Sequence, residues 1–186
     1  MTLQVAPLTP ERWQDFVELF EQRGPRGGSR NSPAHGCWCM YWRDRSLVHG
    51  EPKKRAMAGL VRRRRETGLL AYRDGAAVGW VSIAPRHEYA ALLASPQYRP
   101  RDEGGGRSAW AIVCFVVDRP HHGTGVREAL LAAAVEHAFA QGAGSVEAYP
   151  HVSAPHDYMG GIALYRRAGF AEVRAANKRA IVRLER

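Results

Sequence analysis

Cys114 to Ala140 reads CFVVDRPHHGTGVREALLAAAVEHAFA, and the architecture of the chain follows from it. It opens as an apolar run closing at Val117 and breaks at Asp118-Arg119-Pro120. It then turns through His122-Gly123-Thr124-Gly125 and continues as a long Ala/Leu-rich segment. The order is strand, glycine-bearing turn, helix. Glycines let a backbone come close to a ligand and take dihedrals that a Cβ forbids. The unpaired N–H groups of a helix's first turn, helped by its dipole, form a site suited to phosphate. Two common phosphate loops are excluded here: the Gly-Lys-Ser/Thr ending of a Walker loop is missing, and so is the GxGxxG dinucleotide fingerprint.

Outward from this stretch, the N-terminal side reads as strands and amphipathic helices. Leu3 to Leu8 alternates as a first strand. Thr9-Pro10 supplies an N-cap and a first-turn proline for a helix carrying Trp13, Phe16, Val17 and Phe20 at helical spacing, ended by Gly24-Pro25. Glu51 to Thr67 is a second helix, with Met57, Leu60 and Val61 inward and Gly68 as its C-cap. Leu69–Arg73 and Ala76–Ile83 flank Asp74-Gly75 and make a β-hairpin. Residues 86–106 read as a long connection with a short helix near Tyr89–Ala94.

On the C-terminal side, Ser108 to Val117 feeds the glycine turn and Val126 to Ala140 is a helix apolar on nearly every face, so expected to be buried on several sides. Val146–Tyr149 is a strand, Ile162–Ala168 a short helix stopped by Gly169, and Phe170–Val173 with Arg179–Leu184 a closing strand pair. Only one strand-helix-strand unit occurs, and hairpin pairing dominates. A mixed, mostly antiparallel α/β sheet flanked by helices is expected, rather than a doubly wound parallel one.

Length and composition set further bounds. The chain's 186 residues suit one domain, 1–186, with a single core. No apolar run reaches membrane-spanning length and no signal pattern opens the chain, so no membrane association and a cytoplasmic location are expected. Three cysteines are too few for a disulfide scaffold, which agrees with a reducing compartment. A net charge of +9 favours anionic partners: a nucleic acid, or a polyanionic small molecule. Arg62 to Arg65 point around the whole helix rather than along one face, which disfavours nucleic acid.

Pro33 to Arg43 packs two Cys, two Trp, Met and Tyr together. A metal site would use Cys37, Cys39 and His35, but Cys-x-Cys is a poor chelate spacing and no metal is expected. A redox pair would want two intervening residues. A core cluster and a wall of a substrate pocket remain as readings of this segment.

The turn His122-Gly123-Thr124-Gly125-Val126-Arg127, followed by Ala129-Leu130-Leu131, resembles the acyl-CoA motif of the GNAT superfamily of N-acetyltransferases. Ala163-Leu164-Tyr165-Arg166-Arg167-Ala168-Gly169-Phe170 is similar to that family's late Leu-Tyr-x-x-x-Gly-Phe segment. His122 departs from the family's leading Gln/Arg, and Arg127 from its closing small residue. The similarity covers roughly residues 108–186, with the N-terminal half agreeing only in layout.

The resemblance implies the GNAT fold and acetyl-CoA as co-substrate, with direct attack by a primary amine in a ternary complex. It implies that backbone groups of Phe115, Val116 and Val117 line the pantetheine arm. The turn His122, Gly123, Thr124, Gly125, Val126 and Arg127 would then bind pyrophosphate. It implies Tyr165 as the acid that protonates the leaving thiolate; a core aromatic is the other reading of that residue. For the base, Glu147 is the first choice and Glu88 the second, either through a water or directly; orientation alone can also supply much of the rate. The acceptor is expected to be a small-molecule or peptide amine, with a homodimer left open. A non-catalytic acyl-CoA sensor on the same fold is the rival reading, and a nucleic-acid-binding protein the third.

Overall fold

The computed structural model describes residues 3–22, 36–99, 108–154 and 157–186. Its elements run β1 (Leu3–Pro7), α1 (Trp13–Glu21), α2 (Glu51–Arg62), β2 (Leu69–Arg73), β3 (Ala76–Pro85) and α3 (Ala90–Leu93). They continue with β4 (Ala109–Val117), α4 (Val126–Ala140), β5 (Ser145–Ala148), α5 (Ile162–Arg167), β6 (Ala171–Ala176) and β7 (Arg179–Glu185). Gly24, Pro25, His35 and Gly104 to Gly106 lie outside the described residues, and with them the expected end of the first helix and the third metal candidate.

All seven strands join one sheet in the order β1-β2-β3-β4-β5-β7-β6. Neighbours are antiparallel except β4 and β5, which run parallel with α4 as their crossover. The mixed sheet read from the sequence is the sheet observed. Asp74 and Gly75 both take positive φ, 50° and 82°, the type I′ geometry whose twist suits a two-residue hairpin.

Side chains alternate across the pleat, so the strands β2, β3 and β4 feed two cores. Leu69, Ala71, Val81, Ile83 and Phe115 face α4 and α5, while Leu70, Trp80 and Val116 face α1, α2 and the segment after Gly36. On that second face Trp80 is fully buried, meets Phe16 edge-on at 4.7 Å, and donates its indole N–H to Cys39 Sγ at 3.1 Å. The Cys-Trp cluster is therefore core at Trp38, Cys39 and Met40.

Two elements differ from expectation. Helix α2 ends at Arg62 rather than Thr67, because Arg64 takes φ 51° and the N–H groups of Arg64 and Arg65 return to the carbonyls of Val61 and Leu60. That is a left-handed helix stop made without glycine. Gly68 is needed for another reason: a Cβ there would collide with the Val81 carbonyl and sit 2.6 Å from the Trp80 ring. Helix α4 is buried along one face only. Val126, Leu130, Leu131, Ala134 and Ala138 pack inward, while Glu128, Ala132, Glu136 and Ala140 form an exposed stripe. Alanine is apolar enough to mimic a buried face in sequence, yet small enough to stand on an exposed one.

Candidate active site

Strands β4 and β5 pair only from Ala109↔Ser145 to Ile112↔Ala148, and beyond that point they part. Just there β4 carries one extra residue, Val113, against the β3 step from Ser82 to Ile83. A bulge of this kind bends its strand and re-aims the residues beyond it. Asp118 N–H donates to Val78 O at 2.8 Å, so by antiparallel alternation Phe115 and Val117 turn their peptide groups to the opposite, unpaired edge. The Phe115 N–H is taken there by Tyr158 O at 2.6 Å, leaving Phe115 C=O and Val117 N–H directed into the gap.

The chain then crosses the glycine turn. Gly123 has φ +71°, and Gly125, the residue capping α4, has φ +81°, which puts the first-turn amides at the surface with no side chain capping them. The turn is held from behind. Arg73 donates to Thr124 Oγ1 at 3.1 Å and to Thr124 O at 3.3 Å, and lies 3.2 Å from His121 Nδ1. Thr124 Oγ1 in turn donates to His121 O at 2.8 Å, and His122 Nε2 lies 2.9 Å from Val117 O. His122 thus closes the turn onto the end of the strand. Arg73 was not legible as a site residue, since a hairpin arginine carries no motif.

These parts share one groove of about 370 Å³, which runs from Val117 across Gly123, Gly125, Val126 and Arg127 to Gly161, Leu164 and Arg167 on α5. The Arg127 guanidinium lies 6.0 Å from the Phe115 ring. The sequence-read turn and the unpaired strand edge are therefore brought together.

Tyr165 is fully buried and donates to Met159 O at 2.8 Å. Burial pushes its hydroxyl far above the usual phenol range. Its neighbours Ala163 and Leu164 line the groove, whereas Tyr165 lies behind them. The short stretch Tyr158–Met159 thus accepts hydrogen bonds from both Phe115 and Tyr165. It is anchored by Arg179, which makes a two-pronged pair with Asp157, both contacts 2.8 Å, and donates to Tyr149 O at 3.1 Å.

Glu147 sits in a network of its own. It is 3% exposed and receives Arg86 at 2.8 Å, two Arg183 donors at 2.8 and 3.1 Å, and the Tyr149 hydroxyl at 3.0 Å. Three of these donors converge on Oε1 and the Tyr149 hydroxyl takes Oε2, so the charge of this carboxylate is committed to two buried arginines. Glu88 is bound similarly, by Arg43 and Arg65. Neither carboxylate lines the groove described above or the apolar cavity beside Cys114.

A second cavity, of about 210 Å³, opens where β4 bulges. Its wall is Cys37, Cys39, Tyr41, Trp42, His49, Val113, Cys114 and Tyr158. All three thiols are unbridged, and burial raises those of Cys37 and Cys39 above the ordinary thiol value, so both stay protonated at neutral pH. Burial also pushes the Tyr158 hydroxyl up to about 12. The aromatic segment is thus core at its inner half and pocket wall at its outer half. His49 and Tyr158 escaped the sequence reading because each sits alone in a loop. Among the described residues no group of three or more His, Cys, Asp or Glu is placed to hold a metal, and no helix is long and apolar enough to cross a membrane.

Comparison with known proteins agrees with this geometry. Residues 33–170 match the profile of the "Acetyltransferase (GNAT) family". A search of curated protein sequences returns no significant match. Among solved structures, an N-acetyltransferase from Staphylococcus aureus Mu50 superposes with a TM-score of 0.59 at 12% identity, covering 100% of this chain and 99% of that one. The GNAT domain of S. lividans PAT gives 0.59 at 17% identity, covering 100% and 92%. The PaiA N-acetyltransferase from Thermoplasma acidophilum, solved in complex with coenzyme A, gives 0.54 at 11% identity, covering 100% of both chains. At such identities the likeness is one of fold.

Proposed function

The chain belongs to the acetyltransferase (GNAT) family, and on that premise we propose that it moves an acetyl group from acetyl-CoA to a primary amine held in the cavity beside Cys114. One observation carries this reading. Uncapped amides of the α4 first turn and the end of β4 at Val117 line a single groove, and that groove ends at the strand whose bulge walls the apolar cavity. The amides from Gly123 to Glu128 suit a pyrophosphate, and the dipole of a fifteen-residue helix adds to them. Phe115 C=O and Val117 N–H can pair with the amides of a pantetheine arm as a further strand would. Arg127 and Arg167 line the same groove and suit its phosphates, with Arg167 also 3.6 Å from Glu128.

In the transfer, the amine nitrogen forms a bond to the acetyl carbonyl carbon and the C–S bond breaks. The amine must first be free of its extra proton. We assign that proton to His49, the imidazole in the cavity wall, rather than to Glu147 or Glu88, whose charges are paired with arginines and which line neither the cavity nor the groove. The leaving thiolate takes a proton from Tyr165, whose hydroxyl exchanges its Met159 bond for the sulfur when acetyl-CoA is seated, and the second proton that the nitrogen sheds as the amide forms restores the Tyr165 hydroxyl through solvent. Glu147 then serves as the anchor that fixes β5 between Arg86 and Arg183.

Two measurements test this. Calorimetric titration with acetyl-CoA should show binding, which a nucleic-acid-binding protein would not give. Amine-dependent release of coenzyme A should accompany it; binding without release for any amine would leave a sensor and sink the enzyme reading.

A further inference from the structure

The cavity beside Cys114 has walls that define the kind of amine it takes. Among the described residues that line it there is no carboxylate, ammonium or guanidinium. Two of its thiols are held in the neutral form by burial, and a neutral thiol packs as a small apolar group. The polar groups its lining residues carry, besides the thiols, are the His49 imidazole, the hydroxyls of Tyr41 and Tyr158 and the buried indole N–H of Trp42, while the Tyr41, Trp42 and Tyr158 rings supply flat apolar surface.

Two cations stand against the Tyr41 and Trp42 side of the cavity, while Asp157, the acidic neighbour of Tyr158, is paired with Arg179. The Arg45 guanidinium lies 4.7 Å from the centroids of both Tyr41 and Trp42, and Lys53, itself 1% exposed, holds its ammonium 5.8 Å from the Tyr41 ring. A second cationic group on the acceptor would therefore enter a low-dielectric pocket with no counter-ion and with cations behind its walls. The one amine that reacts loses its charge in doing so, and needs no such partner.

Size sets the other limit. An apolar cavity of about 150 Å³ holds a benzene ring. At about 210 Å³, this one has room for one ring and a short carbon tether.

Resting on the acetyltransferase reading above, we infer that the acceptor is a compact monoamine with an apolar, ring-sized body, an arylalkylamine in chemical class, and that polyamines are rejected. The ring lies among Tyr41, Trp42 and Tyr158, and the amine points to Val113 and Cys114, where the cavity meets β4.

The test is a panel assayed with acetyl-CoA by chromatographic measurement of coenzyme A: benzylamine and phenethylamine against putrescine, spermidine and free phenylalanine. The arylalkylamines should exceed the diamine and triamine in kcat/KM by on the order of a hundredfold, the cost of burying one uncompensated cation. Putrescine or spermidine reacting as well as benzylamine, or the whole panel lying within a few-fold, would overturn the inference. So would inertness of every member in a protein that calorimetry shows to bind acetyl-CoA. Absence of acetyl-CoA binding would instead overturn the underlying reading, and this inference with it. A cavity-filling variant gives an independent check. Cys37→Phe should raise the KM for benzylamine about tenfold or more while leaving acetyl-CoA affinity and melting temperature near those of the parent; an unchanged KM in that folded variant places the acceptor elsewhere.

Discussion

Tyr165 carries a single proton and gives it, in the absence of ligand, to the Met159 carbonyl. One substitution therefore has two consequences. Tyr165→Phe leaves that buried carbonyl unpaired and should cost about 1–3 kcal/mol of stability. It should also lower kcat by about 10²–10⁴-fold, with acetyl-CoA affinity nearly unchanged, because a general acid acts chiefly in the transition state. Full activity with only the stability loss would return Tyr165 to the core. Glu147 behaves in the opposite way. Removing its charge takes from Arg86 and Arg183 the buried carboxylate they share, so Glu147→Gln should destabilise by about 3–5 kcal/mol in thermal or denaturant unfolding, far more than it alters the pH profile of kcat. A strong loss of the basic limb with unchanged stability would make Glu147 the base. The buried thiol of Cys39 adds a pH dependence. Its folded value lies well above the ordinary 9.0, so its contribution is complete below about pH 9 and is lost as pH rises beyond that. At this scale the sequence was a partial guide. It marked Tyr165 and Glu147 by position, but their hydrogen-bond partners come from Met159, Arg86 and Arg183, which no local pattern connects to them.

Elements were more legible than residues, and where they slipped the reason is backbone geometry. Helix α4, the Asp74-Gly75 hairpin and the strand before the glycine turn each announced themselves through period and turn chemistry. The end of α2 did not, because Arg64 occupies the left-handed stop where glycine is the residue expected. An L-residue there costs roughly 1–2 kcal/mol. Arg64→Gly should therefore stabilise the protein by up to about 1 kcal/mol in chemical denaturation, since the ion pair it gives up, with Glu11 at 3.2 Å, is exposed and weak. A loss of stability would show that the arginine side chain matters more than its backbone. The α4 turn gives the converse case. Gly125→Ala should retain the fold at a cost of roughly 1–2 kcal/mol and weaken acetyl-CoA binding on the order of tenfold, read by calorimetry. Unchanged affinity would separate the turn from the cofactor.

The molecule as a whole is a sheet whose one parallel pair, β4 and β5, parts halfway along its length. That parting was not visible in the sequence, because strand patterns give faces and not the point where pairing stops. The mixed sheet and its single crossover were visible, since only one strand-helix-strand unit occurs among hairpins. The cavity beside Cys114 lay hidden for a topological reason: Cys37, Tyr41 and His49 come from one segment and Val113 and Tyr158 from others distant in the chain. The net charge of +9 agrees with a polyanionic co-substrate, and its expression at the groove is Arg127 and Arg167. We place acetyl-CoA between the β4 edge and the α4 turn, and every functional step above depends on that placement. Hydrogen–deuterium exchange with and without saturating acetyl-CoA tests it without any mutation. Slowed exchange at Val117 and across the amides of Gly123 to Glu128 is the predicted result. Binding that protects other segments while leaving these amides unchanged would contradict it.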